Sequence, residues 1–160
     1  MATRSSWSRA STDSTLRTWR FLLRRDTFGG GTSDDVELLA TWIEDFQVGA
    51  PPPHSDPRAA AEQRVEEGSI FVWDDGHAVS VVGLSGPTPN GIRISLVYTP
   101  PASRGKGYAS ALVGRLSHHL LDGGKEFCFL YTDLANPTPN KIYRELGYRL
   151  VCDGVLVDFD

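Results

Sequence analysis

Residues 97–113 read VYTPPASRGKGYASALV, and this stretch decides the fold. A short apolar run ends in a Pro-Pro step, which neither a strand nor a helix can carry through. Arg104, Gly105, Lys106 and Gly107 follow, and then Ala109, Leu112, Val113, Leu116 and Leu120 recur on one helical face until Gly123-Gly124. The stretch is therefore a strand, a tight glycine-bearing turn and a helix expected over 105–122. Beyond it, EFCFLYTDL at 126–134 is a near-continuous apolar run of the kind buried on both faces of a sheet. A strand, a helix and a strand in that order need a right-handed crossover, so the strands at 92–98 and 126–134 are expected to run parallel.

Upstream, SIFVW and HAVSVVGL flank Asp75-Gly76, and Asn90-Gly91 precedes IRISLVY. These are hairpin signals, and they predict an antiparallel meander leading into the crossover. Before the meander, Ser33-Asp34 offers a helix cap with Glu37 as box partner. Val36, Leu39, Ile43 and Phe46, widened by Leu38 and Trp42, mark one face of that helix. After Pro51-Pro52-Pro53, Ser55 or Asp56 restarts a helix through Pro57, which Gly68 closes. RFLLRR at 20–25 reads as a first strand. Thr138-Pro139 caps a short helix ending at Gly147, and YRLVC and VLVDF read as a closing pair of strands. The expected order is β-α-α-β-β-β-α-β-α-β-β, an α/β (α+β) chain with a mixed, mostly antiparallel sheet and helices on both faces.

Composition narrows the function classes. The 160 residues carry a net charge of -4, which gives no basic footprint for nucleic acid or an anionic membrane. No apolar run approaches the roughly 20 residues that span a bilayer, and two cysteines without disulfide or metal spacing suit a reducing compartment, with a cytoplasmic location expected. Cys128 and Cys152 sit in apolar runs without metal spacing and read as buried free thiols; no metal is expected. Residues 1–19 hold Arg4, Arg9 and Arg17 among many Ser and Thr, with one acid, Asp13. They read as a disordered tail, whether native, a tag or a targeting segment, ahead of a single domain at 20–160.

Glycines ahead of a helix suggest that something approaches its N-terminal amides closely, and an anion is the usual occupant. Neither the dinucleotide fingerprint nor the Walker pattern fits, because the third glycine of the first and the Ser/Thr of the second are missing. A glycine-bearing turn with no ligand is the plainer reading of the sextet taken alone.

Two motifs add to it. Arg104-x-x-Gly107-x-Ala109 resembles the Q/R-x-x-G-x-G/A signature of the GNAT superfamily of N-acetyltransferases. Asn136 and Tyr143, followed by Leu146-Gly147-Tyr148, are similar to its second motif, N-x6-Y-x2-LGF/Y. The resemblance covers the chain from about residue 20 and implies the GNAT fold, with acetyl-CoA as co-substrate and an amine as acceptor. It implies that the amides of Arg104, Gly105, Lys106, Gly107, Tyr108, Ala109 and Ser110 hold the pyrophosphate. Pantetheine would pair with the backbone of Val97, Tyr98 and Thr99 on a strand splayed from its parallel neighbour, and Asn136 would bond the pantetheine arm.

It further implies Tyr143 as the acid that protonates the leaving thiolate; a tyrosine packed over the coenzyme without proton transfer is the plainer alternative. The base is less defined, since the strand at 92–98 holds no acid where many relatives place one. Asp133, acting through water, is the candidate, against a capping role. His54 in the loop between the first two helices could line an acceptor pocket but reads more simply as a surface residue. His118, His119, Glu66 and Glu67 read as surface residues. Three functions follow: an N-acetyltransferase for a primary amine of a small molecule or peptide, a silent acyl-CoA-binding sensor, or an acetyltransferase acting on charged tRNA, which the acidic balance disfavours. The acceptor carries no recognisable code, and the terminal strands offer an edge for a homodimer.

Overall fold

The computed structural model describes residues 3–11, 28–48, 55–86, 88–133 and 136–156. Its strands are β1 (Thr3–Ser11), β2 (Phe28–Gly30), β3 (Ile70–Asp74), β4 (Ala78–Ser85), β5 (Gly91–Tyr98), β6 (Phe127–Asp133) and β7 (Arg149–Leu156). The helices are α1 (Val36–Gln47), α2 (Pro57–Glu66), α3 (Tyr108–Asp122) and α4 (Pro137–Glu145). One sheet runs β2-β3-β4-β5-β6-β1-β7. Every neighbouring pair is antiparallel except β5 and β6, which run parallel as the crossover requires.

Each face of the sheet carries its own apolar cluster. Leu39, Trp42 and Ile43 of α1 and Ala61 of α2 pack on Ile70, Val81, Leu96 and Tyr98. On the opposite face Leu112, Val113 and Leu116 of α3, with Tyr143 of α4, pack on Val79, Val82, Ile92, Ile94, Cys128 and Leu130. Leu39, Leu112 and Leu116 have no exposed surface; each such leucine contributes roughly 1.5–3 kcal/mol of burial. The expected α1 face is right at Val36, Leu39, Trp42 and Ile43, but Leu38 and Phe46 point outward.

A bulge in β5 decides which side chains reach which face. Val81 pairs with Tyr98 and Gly83 with Ser95, so β5 carries one residue more than β4 over this span. Leu96 takes up the extra residue at φ 46, the lone non-glycine positive φ among the described residues. Ile92 and Ile94 face α3, and strict alternation would put Leu96 there too. The bulge turns Leu96 and Tyr98 toward α1 instead, and Val97 toward α3.

Local chemistry explains the boundaries. Asp56 caps α2 by accepting from the Ala59 amide at 2.7 Å, and Gly68, at φ 62, ends it. The α1 start is not the Ser33-Asp34 cap with Glu37. The Asp35 carboxylate accepts from the Thr32 amide and hydroxyl at 2.8 and 2.7 Å, closing a 3-10 turn that leads into the helix. Likewise α4 begins after Asn136 with Pro137 at its first position, two residues before the Thr138-Pro139 cap.

Three further expectations change. Residues 3–11 are not a tail: they form a strand paired along β6 on one side and β7 on the other. The closing pair of strands is one strand, β7, because β1 supplies partners as far as Leu156 and the chain stays extended through Asp153-Gly154. Cys152 is exposed, whereas Cys128 is buried as expected. The strand expected at 20–25 and the loop with His54 lie outside the described residues. Among the described residues no helix is long and apolar enough to cross a membrane.

One polar pair is sealed inside the core. Ser117 Oγ donates to the Val113 carbonyl at 2.7 Å and lies 2.7 Å from the Tyr148 hydroxyl. With the serine proton committed, Tyr148 donates to Ser117. Ser117→Ala strands that buried phenol and should cost about 1–3 kcal/mol in denaturant unfolding. Adding Tyr148→Phe should recover part of the loss; a double variant as unstable as the sum of the two singles would refute the bond.

Candidate active site

The parallel ladder joining β5 to β6 is short. Gly91, Ile92 and Arg93 pair with Phe127, Cys128 and Phe129, and there the pairing stops. Beyond it, β6 continues to pair with β1 while β5 continues to pair with β4. The two central strands therefore part, and a cleft of about 200 Å3 lies at the carboxyl end of β5. Val97, Tyr98, Thr99 and Arg104 form one wall. Ala109 and Val113 of α3 form the second, and Pro139, Ile142 and Tyr143 of α4 the third.

The end of β5 is fixed from several directions. Ser80, fully buried on β4, donates to the Tyr98 carbonyl at 3.1 Å and lies 2.8 Å from the Thr99 hydroxyl. The Tyr98 hydroxyl donates to Asp45 on the last turn of α1 at 2.8 Å. Arg104 Nε donates to the Thr99 carbonyl at 2.9 Å, and its guanidinium lies over the Tyr98 ring at 5.9 Å. One donor of Arg104 is thus used to hold the loop, and the rest of the fork remains at the cleft wall.

Gly105 and Gly107 sit at φ 76 and 82. A Cβ at either would meet nothing within 4 Å, so the requirement is conformational and the space beyond the turn is open. α3 starts at Tyr108, not at Gly105, with Gly107 as its N-cap; the first intrahelical bond runs from the Ala111 amide to the Gly107 carbonyl at 3.0 Å. The amides of Gly107, Tyr108, Ala109 and Ser110 accordingly form the first turn of the helix and stand at its positive end. Lys106 lies 6.0 Å from the Tyr108 ring, and the Tyr108 hydroxyl donates to Asp75 in the β3–β4 turn at 2.5 Å.

Tyr143 is buried, and desolvation pushes its phenol up to about 12. Its ring lies 5.9 Å from that of Tyr148. Cys128, in the same core cluster, is pushed up to about 12 by the same cause.

Of the residues singled out in the sequence, Val97, Tyr98, Thr99, Arg104, Ala109 and Tyr143 line one cleft, and Gly105, Lys106, Gly107, Tyr108 and Ser110 form the turn and helix start beside it. Asn136 is exposed at the N-cap of α4, and its carbonyl accepts from the Asn140 side chain at 2.7 Å. Asp133 ends β6 with an exposed side chain outside the cleft lining; its carbonyl accepts from the Asn136 amide at 3.1 Å and the Asn140 side chain at 2.9 Å. His119 is exposed, as expected, and its ring meets Phe28 edge-on at 5.8 Å. Sequence reasoning missed Ser80 and Asp45. A serine interrupting HAVSVVGL is a signal that could have flagged the first; nothing local marks the second.

The family model for the acetyltransferase (GNAT) family matches residues 36–148. No curated protein sequence matches. Among solved structures, a GNAT-family protein from Novosphingobium aromaticivorans superposes with a TM-score of 0.70 at 18% identity, over 97% of this chain and 63% of its own. A GNAT-family acetyltransferase from Colwellia psychrerythraea gives 0.73 at 13% identity, over 97% and 55%. This chain thus spans less than two thirds of either. A protein from Clostridium acetobutylicum, described as a predicted acetyltransferase and solved with acetyl-CoA, gives 0.57 at 15% identity, over 76% and 88%. At these identities the likeness speaks for the fold, and the family match, which covers well over half of the chain, settles membership: this protein belongs to the GNAT family of acetyltransferases.

Proposed function

We propose that the chain is an acetyl-CoA-dependent N-acetyltransferase that transfers an acetyl group directly to a primary amine of a small molecule or peptide. One observation carries this reading: the free backbone edge of β5, the N-terminus of α3 and the Tyr143 phenol converge on a single cleft. The α3 amides, with Arg104 and Lys106, suit a diphosphate, and the β5 edge at Val97–Thr99, which does not pair with β6, suits an amide-bearing arm that adds like a strand. In this reading Asn136, at the start of α4, bonds that arm.

The amine nitrogen forms the new amide bond as the carbon–sulfur bond breaks, and the electron pair leaves on sulfur. Tyr143 gives its proton to that sulfur. A thiol of pKa about 8.5 and a phenol of about 10 lie close enough in water for that transfer to be useful. An alkyl amine is neutral in only about 1 molecule in 2,500 at pH 7, a cost of about 4.6 kcal/mol. Asp133, through water, is the assigned receiver of the amine proton, since it ends the strand that forms the other side of the opening.

Tyr143→Phe should lower kcat by about 10²–10⁴ while acetyl-CoA affinity, read by calorimetry, stays unchanged; unimpaired turnover would remove Tyr143 from the chemistry. Acetyl-CoA binding without turnover on any amine panel would favour the silent sensor instead. Gly107→Ala forces a side chain into the left-handed region, costing roughly 1–2 kcal/mol, and should weaken acetyl-CoA binding in the same sample. A stable Gly107→Ala protein with wild-type affinity would show that the turn does not hold the diphosphate.

The raised Tyr143 pKa also sets an alkaline stability window. An unfolded tyrosine releases its proton near 10, the folded one only near 12. Stability is therefore fully present below pH 10 and falls as pH rises from 10 to 12. Denaturant melts of wild type and Tyr143→Phe should diverge across that interval, with the wild type losing more.

A further inference from the structure

A second, larger cleft of about 650 Å3 lies between the C-terminal half of α2 and the β4–β5 connection. Ile92 lines it and Val97 lines the first, so the two are five residues apart along β5, roughly 16 Å. The catalytic reading makes no use of it. Its distinctive occupant is the Arg64 guanidinium, half-buried against the sheet. Arg64 Nη1 donates to the Leu84 carbonyl at 3.0 Å. A Cβ on Gly83 would stand 2.7 Å from that nitrogen, so the glycine is what lets the guanidinium lie on the strand.

Arg64 has five N–H donors, and this bond uses one. No carboxylate lies within 4 Å of it among the described residues. Glu67, the one acid of the cleft, instead accepts from the Gln63 side chain at 2.7 Å. A second cation stands nearby: Arg93 Nε donates to Ser85, a lining residue, at 2.8 Å. Burial lowers the Arg64 pKa, Glu67 offsets part of the fall, and Arg93 adds to it. The Arg64 fork thus keeps donors free at the cleft wall, with Glu67 turned to Gln63 and Arg93, its guanidinium over the Tyr131 ring, adding positive charge nearby. An oxyanion accepting from the free donors would offset the burial of the Arg64 charge.

We propose that this cleft binds a small ligand bearing an oxyanion, a phosphate or a carboxylate, through the free donors of Arg64 with Arg93 as the second positive charge. The Ser85 hydroxyl, whose oxygen accepts from Arg93, supplies a further donor at its wall. The site is independent of the acetyl-transfer reading and stands whether or not that reading does.

The test is side-chain and backbone 1H–15N spectroscopy of the full chain, titrated separately with inorganic phosphate and with succinate. Saturable shifts of the Arg64 Nε–H and of the amides of 83–86 are expected in at least one titration, and the stronger of the two identifies the anion class. Arg64→Met should weaken that binding by about 10–100-fold. Arg93→Gln, which leaves the α2 contact in place, should weaken it by a smaller factor and keeps the test open should Arg64→Met not fold. No shift with either anion, shifts confined to 104–110, or unchanged affinity in both variants would overturn the proposal.

Discussion

The site depends on two strands that begin as partners and then part. β5 and β6 share three parallel pairs, enough to fix their register, and each then keeps its other neighbour. A parallel sheet left open in its middle would expose unpaired backbone groups in a dry interior, which folded proteins rarely tolerate. The opening persists because α3 and α4 pack against it from one face and leave its end accessible. The edge of β5 that β6 leaves therefore lies open beside the positive end of α3.

The bulge at Leu96 serves the same end. Without it the last turn of the pleat would send Tyr98 into the α3 side and crowd the cleft with its ring. With it, Tyr98 goes to the α1 face, where its hydroxyl meets Asp45, and Val97 faces the cleft. A strained φ at a β-carbon residue costs of order 1–3 kcal/mol and survives where packing over-determines it. Leu96 is packed in just that way, nearly fully buried between α1 and Gly83.

Much of this was legible in the residues, and the limits have physical causes. The crossover, the Asp75-Gly76 hairpin and the α1 and α3 stripes follow from short-range periodicity and turn chemistry, whereas the convergence of the Arg104–Ser110 turn with Tyr143 is implied by the resemblance of two motifs. What failed needed information from far along the chain. Residues 3–11 have the composition of a solvated tail, and their strand exists through pairing with 127–133 and 149–156. For the same reason the Asp153-Gly154 step, a turn signal locally, stays extended. Cap positions slipped by a residue or two at α1 and α4, where Thr, Ser, Asp, Asn and Pro cluster and several caps compete. Asp45 and Ser80 escaped notice because their partners lie 53 and 19 residues away.

The Tyr98–Asp45 bond ties the last turn of α1 to the strand that borders the cleft. The segment after α1 leads toward α2, so a molecule that steadies that helix end also steadies the edge on which a second molecule would lie. Thermodynamic reciprocity then makes the benefit mutual: whatever free energy the first guest contributes to the second, the second returns to the first. A single phenol thus acts as a strut through which two guests would sense each other without touching.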